Sequence, residues 1–130
     1  MRKVVSKFGL FAGFAACLLA AASPASARAL PGFKCMMLNI TEQQAMDPNF
    51  HVTVRSAPSA TASPAGWAGA VVITYAPLRE QNGFTEMVLP NGHSVWVESD
   101  MVKPYHAKAD PTARCVPEVL PNGRIGFGPG

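Results

Sequence analysis

"HVTVRSAPSATASPAGWAGAVV" runs from His51 to Val72 and carries two opposed signals. Val52 and Val54 alternate with Thr53 and Arg55, the period of a half-buried strand. "SAPSATASPAG" then interrupts with turn formers, and "AVVITYAP" resumes as a run rich in β-branched residues, the composition of a buried strand. The interruption is either a linker between two pieces or a loop inside one β domain.

The residues downstream favour the loop. "LREQNG" is a turn, with Asn82-Gly83 supplying positive φ. "FTEMVLP" follows as a strand, with Thr85, Met87 and Leu89 on one face and Phe84, Glu86 and Val88 on the other. Asn91-Gly92 reads as a hairpin turn into "VWVES", where Val95 and Val97 face one way and Trp96 the other. "DMVKPY" closes the pattern, and Pro104 suits an edge or final strand. Five short strands in about 55 residues predict an all-β fold, a small five-stranded barrel over residues 51–105. The interrupted stretch is then a loop covering one side of that barrel.

The chain of 130 residues has room for one such domain, and its start is read as a targeting segment. Arg2, Lys3 and Lys7 precede an uncharged apolar run from Phe8 to Ala22, and Ala25-Ser26-Ala27 supplies a small-x-small cleavage site. Residues 1–27 therefore read as a secretory signal peptide, too short in its apolar run for a membrane span. The alternatives are an uncleaved anchor and lipid attachment at Cys17, which follows Phe14-Ala15-Ala16. The three basic residues of the leader account for the whole net charge of +3. What remains is neutral and has no Lys/Arg cluster, which argues against a nucleic-acid partner. Cleavage also leaves no segment for stable membrane insertion, so the expected location is periplasmic or secreted.

Cys35 and Cys115 survive cleavage, and an even count in an exported chain reads as a disulfide. Closing so long a loop stabilises a fold by roughly 4 kcal/mol on the chain-entropy account. The bond would clamp an N-terminal arm, residues 28–50, to a C-terminal arm, residues 106–130. The first arm carries an apolar patch of Phe33, Met36, Met37, Leu38 and Ile40, read as an edge strand or an irregular ribbon, with packing preferred over soft-metal ligation for the two methionines. Thr41 and Gln44 have capping-box spacing for one helical turn over Glu42 to Met46, ahead of Pro48. "LPNG" occurs at Leu89 and again at Leu120, too little for a repeat architecture, and Gly126 to Gly130 is expected to be loose.

The ordered set of residues from 51 to 105 resembles the bacterial SH3-like domain of exported proteins. Val54, Arg55 and Pro58 match its opening Val-Arg-x-x-Pro. Gly69 to Tyr75 match its Gly and apolar strand, Asn82-Gly83-Phe84 its Asn-Gly-aromatic start, and Gly92 with Trp96-Val97 its Gly turn and Gly-Trp-Val strand. Phe84 stands where the family has Trp, and Val95 where it has Gly. The resemblance implies a small barrel that carries peptide or glycan chains on exposed aromatic ledges.

Chemistry is poorly represented. His51, His93 and His106 lack metal spacing, and no cofactor motif is present. Glu86 and Glu98 alternate with residues expected to be buried, so they and Asp100 read as a solvated face; Ser56, Ser59 and Ser63 lack a nucleophile elbow. An enzyme is not expected. Trp96, Phe84, Tyr105 and Arg55 are the candidate ligand-binding residues, with Trp67 and Tyr75 flanking the second strand. Rings would stack on ligand and Arg55 would pair with a carboxylate. The competing expectation is that the arms cover these rings, with Phe33 or Met37 stacked on them. The expected role is a non-catalytic binding module for a cell-envelope protein or peptidoglycan; the alternative is an enzyme inhibitor presenting "SAPSATASPAG" as a rigid loop.

Overall fold

Among the described residues, strands make up nearly all of the regular secondary structure. The structure, a computed structural model, describes residues 26–129, so the expected signal peptide, residues 1–27, falls almost wholly outside the described residues and Cys17 entirely so. The strands are β1 (Arg28–Ala29), β2 (Phe33–Leu38), β3 (Thr53–Arg55), β4 (Pro64–Trp67), β5 (Val71–Tyr75), β6 (Glu80–Gln81), β7 (Phe84–Val88), β8 (Ser94–Glu98), β9 (Val102–Pro104), β10 (Val116–Val119) and β11 (Ile125–Gly128). One short helix, α1 (Glu42–Met46), and one 3-10 turn, Ser99–Met101, complete the elements. No helix among the described residues is long and apolar enough to cross a membrane.

The larger sheet has the order β4-β3-β8-β7-β5-β2-β9, with β6 pairing on β7. Every described ladder in it is antiparallel. The path is open: β8 passes to β9 through the 3-10 turn without a ladder between them. The segment expected as an arm is built into this sheet. β2 lies between β5 and β9, with Met36 opposite both Val72 and Pro104. The reason is visible in "FKCMML", which is apolar on both faces, the pattern of a strand with partners on each side and cover above and below. β9 takes the edge, where Pro104 forfeits no ladder bond on its outer side.

One face of the sheet holds the core. Met36, Leu38, Val52, Val54, Val72, Met87, Val95, Val97 and Val102 form one cluster, and Val54 and Val97 have no exposed surface at all. Thr74 and Thr85 are buried among them with their hydroxyls satisfied, Thr74 by the Lys34 carbonyl at 3.4 Å and Thr85 by Ser99 at 2.8 Å.

A second, three-stranded sheet, β1-β10-β11, lies on part of the opposite face. The glycine-rich tail is therefore ordered strand. Two of its glycines give room to neighbouring side chains: a Cβ at Gly126 would meet Leu120 Cδ1 at 2.8 Å and one at Gly128 the Glu118 carboxylate at 2.7 Å, so those flexible ends would have to shift. Cys115, just before β10, is bonded to Cys35 on β2. Cys35, its cross-strand partner Ile73, and Val88 beside Ile73 are buried on this outer face. The turn leading to Cys115 is held by Asp110, which accepts from the Thr112 hydroxyl at 2.7 Å and its N–H at 3.0 Å; these bonds hold the carboxyl below the usual range.

Local signals account for the turns. Asn82 and Gly83 both have positive φ, 53° and 80°, and join β6 to β7 as a two-residue hairpin loop. Asn91-Gly92 differs, because Pro90 ahead of it sets the first turn position and leaves positive φ to Gly92 alone. The Gly92 N–H donates to the Leu89 carbonyl at 2.8 Å and the Leu89 N–H to the His93 carbonyl at 2.9 Å. The second "LPNG" makes the same turn: Gly123 to Leu120 and Leu120 to Arg124, each at 2.8 Å. The two turns touch where Ile125 N–H donates to the Pro90 carbonyl at 2.9 Å. The capping box is also present. Thr41 Oγ1 accepts from Gln44 N–H at 3.1 Å, and Gln44 Oε1 accepts from Thr41 N–H at 2.9 Å. Thr41→Ala is expected to lower stability by about 1 kcal/mol in urea unfolding, the usual worth of such a cap.

Candidate functional site

The register places one residue from each of several strands in a row across the outer face. Phe33 on β2 pairs with Tyr75 on β5. Glu86 on β7 pairs with Trp96 on β8, and Trp96 with Arg55 on β3. Arg79 closes the gap between the two halves. Its carbonyl accepts from Glu86 N–H at 2.8 Å, its guanidinium carbon lies 3.8 Å from the Tyr75 ring centre, and its Nη1 is 3.4 Å from Glu86 Oε1. Tyr75 is fixed twice more, by the Phe33 ring at 4.7 Å and by a 2.6 Å hydrogen bond between its hydroxyl and Ser94. The row therefore reads Phe33, Tyr75, Arg79 with Glu86, Trp96, Arg55: two rings in contact, an ion pair, a third ring and a cation, at strand spacing, about 4.8 Å.

Several of its members are held by one another. Cation–π contact and ion pairing fix Arg79, so its charge and that of Glu86 are mutually satisfied. Arg55 is different. Its Nη1 donates to the Ala62 carbonyl at 3.1 Å, which ties down the Ser56–Ser63 loop, and no carboxylate lies within ion-pair distance of it among the described residues. Its remaining donors face a cleft of about 310 Å³ that also takes in His51, Phe84, Glu98 and Met101. A planar fork with free donors at the edge of a cleft suits a carboxylate or a similar oxyanion.

The four expected ligand-binding residues separate in space. Trp96 and Arg55 are neighbours in the row, both half-buried. Phe84 is on the same face but only 7% exposed, on the cleft wall. Asn82 Nδ2 donates to the Pro58 carbonyl at 3.3 Å and draws the 56–63 loop toward it. Tyr105 follows β9, beyond β2 and β5 from the row's Trp96, and does not join it. The expectation that arm residues would stack on the rings holds for Phe33 on Tyr75. The C-terminal sheet covers the Cys35–Ile73–Val88 level, two residues along each strand from the Phe33–Tyr75–Glu86 level.

Phe33, Arg79 and Glu86 were absent from the expected set. Phe33 is far from the others in sequence, and Glu86 read as a plain solvated carboxylate. Trp67 also stands out more than its sequence setting suggests. It is 62% exposed, and the His51 ring stacks on it at 3.6 Å and 3°. Gly66 and Ala68 on either side of it offer nothing to cover the indole, a signal present in "AGWAG".

Searches against protein-family models, curated proteins and solved structures found no match to this chain. The site's own geometry carries the reading. Among the described residues no group of three or more His, Cys, Asp or Glu side chains is placed to hold a metal ion.

Proposed function

We propose that this protein is a non-catalytic binding module of the cell envelope, with an SH3-like barrel, that holds peptidoglycan or an envelope protein on the outer face of its sheet. The row from Phe33 to Arg55 is the observation that carries the reading. Rigid rings supply contact area at small entropic cost, and the Arg55 donors supply a charged anchor at the cleft. The antiparallel ladders joining β3, β8, β7 and β5 support the SH3-like reading, while β4 and β9, the edges of the larger sheet, do not pair. The disulfide fits an oxidising compartment outside the cytoplasm, in keeping with the leader read from residues 1–27. No cofactor is needed for this role.

Trp96→Ala tests it. The ring is half-buried on the face away from the core, so the variant should keep the wild-type circular dichroism and lose about 1 kcal/mol or less of stability. Binding to purified peptidoglycan sacculi, or to the envelope protein recovered with the native chain, should weaken tenfold or more, roughly the effect of truncating a central aromatic anchor. A variant that binds as well as wild type refutes the ledge; one that unfolds makes Trp96 a core residue and removes it as a ligand contact.

One observation favours inhibition as a second reading. The Ser56–Ser63 loop is braced at several points: Ser56 N–H donates to the Ser63 carbonyl at 3.0 Å, Arg55 and Asn82 each donate into it, and the Ser59 and Thr61 hydroxyls lie 2.9 Å apart. Such bracing lowers the ordering cost of presenting a loop to an enzyme cleft. Retention of one soluble envelope enzyme on immobilised protein, lost when the loop is shortened, would favour this reading over the first.

A further inference from the structure

We propose a second binding site, separate from the row, in which an extended acidic peptide segment adds to the outer edge of β11 and sets an apolar side chain between Trp67 and Phe127. Three observations meet there. The first is a groove of about 190 Å³ with Trp67, Val71, Leu89, Pro90, Ile125 and Phe127 among its walls. Its two rings are the most exposed aromatic side chains among the described residues, 62% for Trp67 and 49% for Phe127.

The second observation is an open backbone edge. β11 is the last strand of the smaller sheet. Ile125 turns its N–H away from β10 onto the Pro90 carbonyl, at 2.9 Å. Residues two apart in a strand point their backbone groups the same way, so the N–H and C=O of Phe127 lie on this outer edge too. Neither has a partner among the described residues. An incoming strand finds two ladder bonds there, continuing the line begun by Pro90, and sequence-independent main-chain bonding of this kind is a general mode of peptide capture.

The third is charge. Arg124, exposed, immediately precedes Ile125 beside the groove. No acidic residue lines the groove, and Glu118 lies on the other face of the β10–β11 hairpin, with its carboxylate over Gly128. One fixed positive charge thus stands beside an apolar floor free of carboxylates, which favours acidic residues flanking an apolar one. A glycan, with hydroxyls on every side, would find few polar partners in such a floor.

The test uses the oxidised, exported protein and two synthetic peptides. One alternates Val and Leu with Asp and Glu; the other carries Lys at every acidic position. The readout is NMR, following the Trp67 indole and the Phe127 amide. The acidic peptide should shift both, and the lysine peptide should bind at least tenfold more weakly, as expected for a complementary rim. Trp67→Ala and Phe127→Pro should each cost tenfold or more. The proline variant removes the outer N–H without breaking the β10 ladder, because Phe127 faces Pro117 at a position where neither strand donates to the other. Phe127→Leu, which keeps the N–H and an apolar side chain, should bind within about threefold of wild type. Equal affinity for both peptides, shifts absent at a peptide concentration of about 1 mM, or the same shifts produced by glycan fragments instead, would overturn the proposal. Trp96→Ala should leave this binding unchanged, which separates the site from the row.

Discussion

Replacing Cys35 and Cys115 together by alanine is expected to cost roughly 4.5 kcal/mol, the loop-closure entropy of a bridge spanning 80 residues. For a domain of this size that is a fall of about 20 °C in melting temperature, with the midpoint in urea displaced in the same direction. The location of the bond gives the loss a structural consequence. Cys35 stands on the outer face beside Ile73, and Cys115 leads directly into β10. Without the bond, the three-stranded sheet is held by contacts over Ile73 and Val88, by the Ile125–Pro90 hydrogen bond, and by the short tie of β1 to β10. Hydrogen exchange should therefore rise first in β10 and β11, while β5, β7 and β8 stay protected. A double variant that melts within 1–2 °C of wild type would mean that the hairpin docks through its own packing and that the bond restrains little.

The bridge also sets the boundary of the candidate site. It pins the smaller sheet over the Cys35–Ile73–Val88 level and leaves the next level, Phe33–Tyr75–Glu86–Trp96, half-buried beside it. The choice follows from register: Cys35 and Phe33 share a face of β2 two residues apart. A one-residue slip of β2 would turn Cys35 into the core and break the row at Phe33 together. Staple and binding face are thus specified by the same pairing.

This coupling explains what could be read from the residues alone. Signals that act within a few positions were legible. Thr41 and Gln44 gave the helix cap, Asn82-Gly83 the tight turn, and the alternation of β7 and β8 placed Trp96 opposite Val95 and Val97. The disulfide was legible from compartment and count. What depends on pairing between distant strands was not. β2 became interior because β5 and β9 both need a partner there, and "FKCMML" alone does not distinguish that from an edge. "RIGFGPG" has the composition of a loose end, yet Ile125–Gly128 is a strand because β10 pairs with it along its length. The row itself crosses five strands, and Tyr105, sound as an aromatic candidate, fell outside it because β9 sits at the far edge.

Val97→Asp is expected to abolish folding at neutral pH. Val97 has no exposed surface and lies among Val54, Val95 and Met87 in the core cluster, where an ionised carboxylate finds no partner. Such an uncompensated charge costs several kcal/mol, comparable with the whole stability of a small domain. The pH dependence has a definite sign. Burial raises the carboxyl's folded-state pKa above its unfolded value, so the native state binds the extra proton, and stability falls as pH rises past the unfolded pKa near 3.9. The variant should therefore be more nearly folded at about pH 4 than at pH 7, the reverse of an acid-labile protein. Trp96→Ala, one residue away, supplies the contrast. Its side chain is on the other face, so its stability cost should be small and independent of pH. If the two changes destabilise alike, the sheet does not divide core from ledge between positions 96 and 97, and the row from Phe33 to Arg55 loses its standing as a surface.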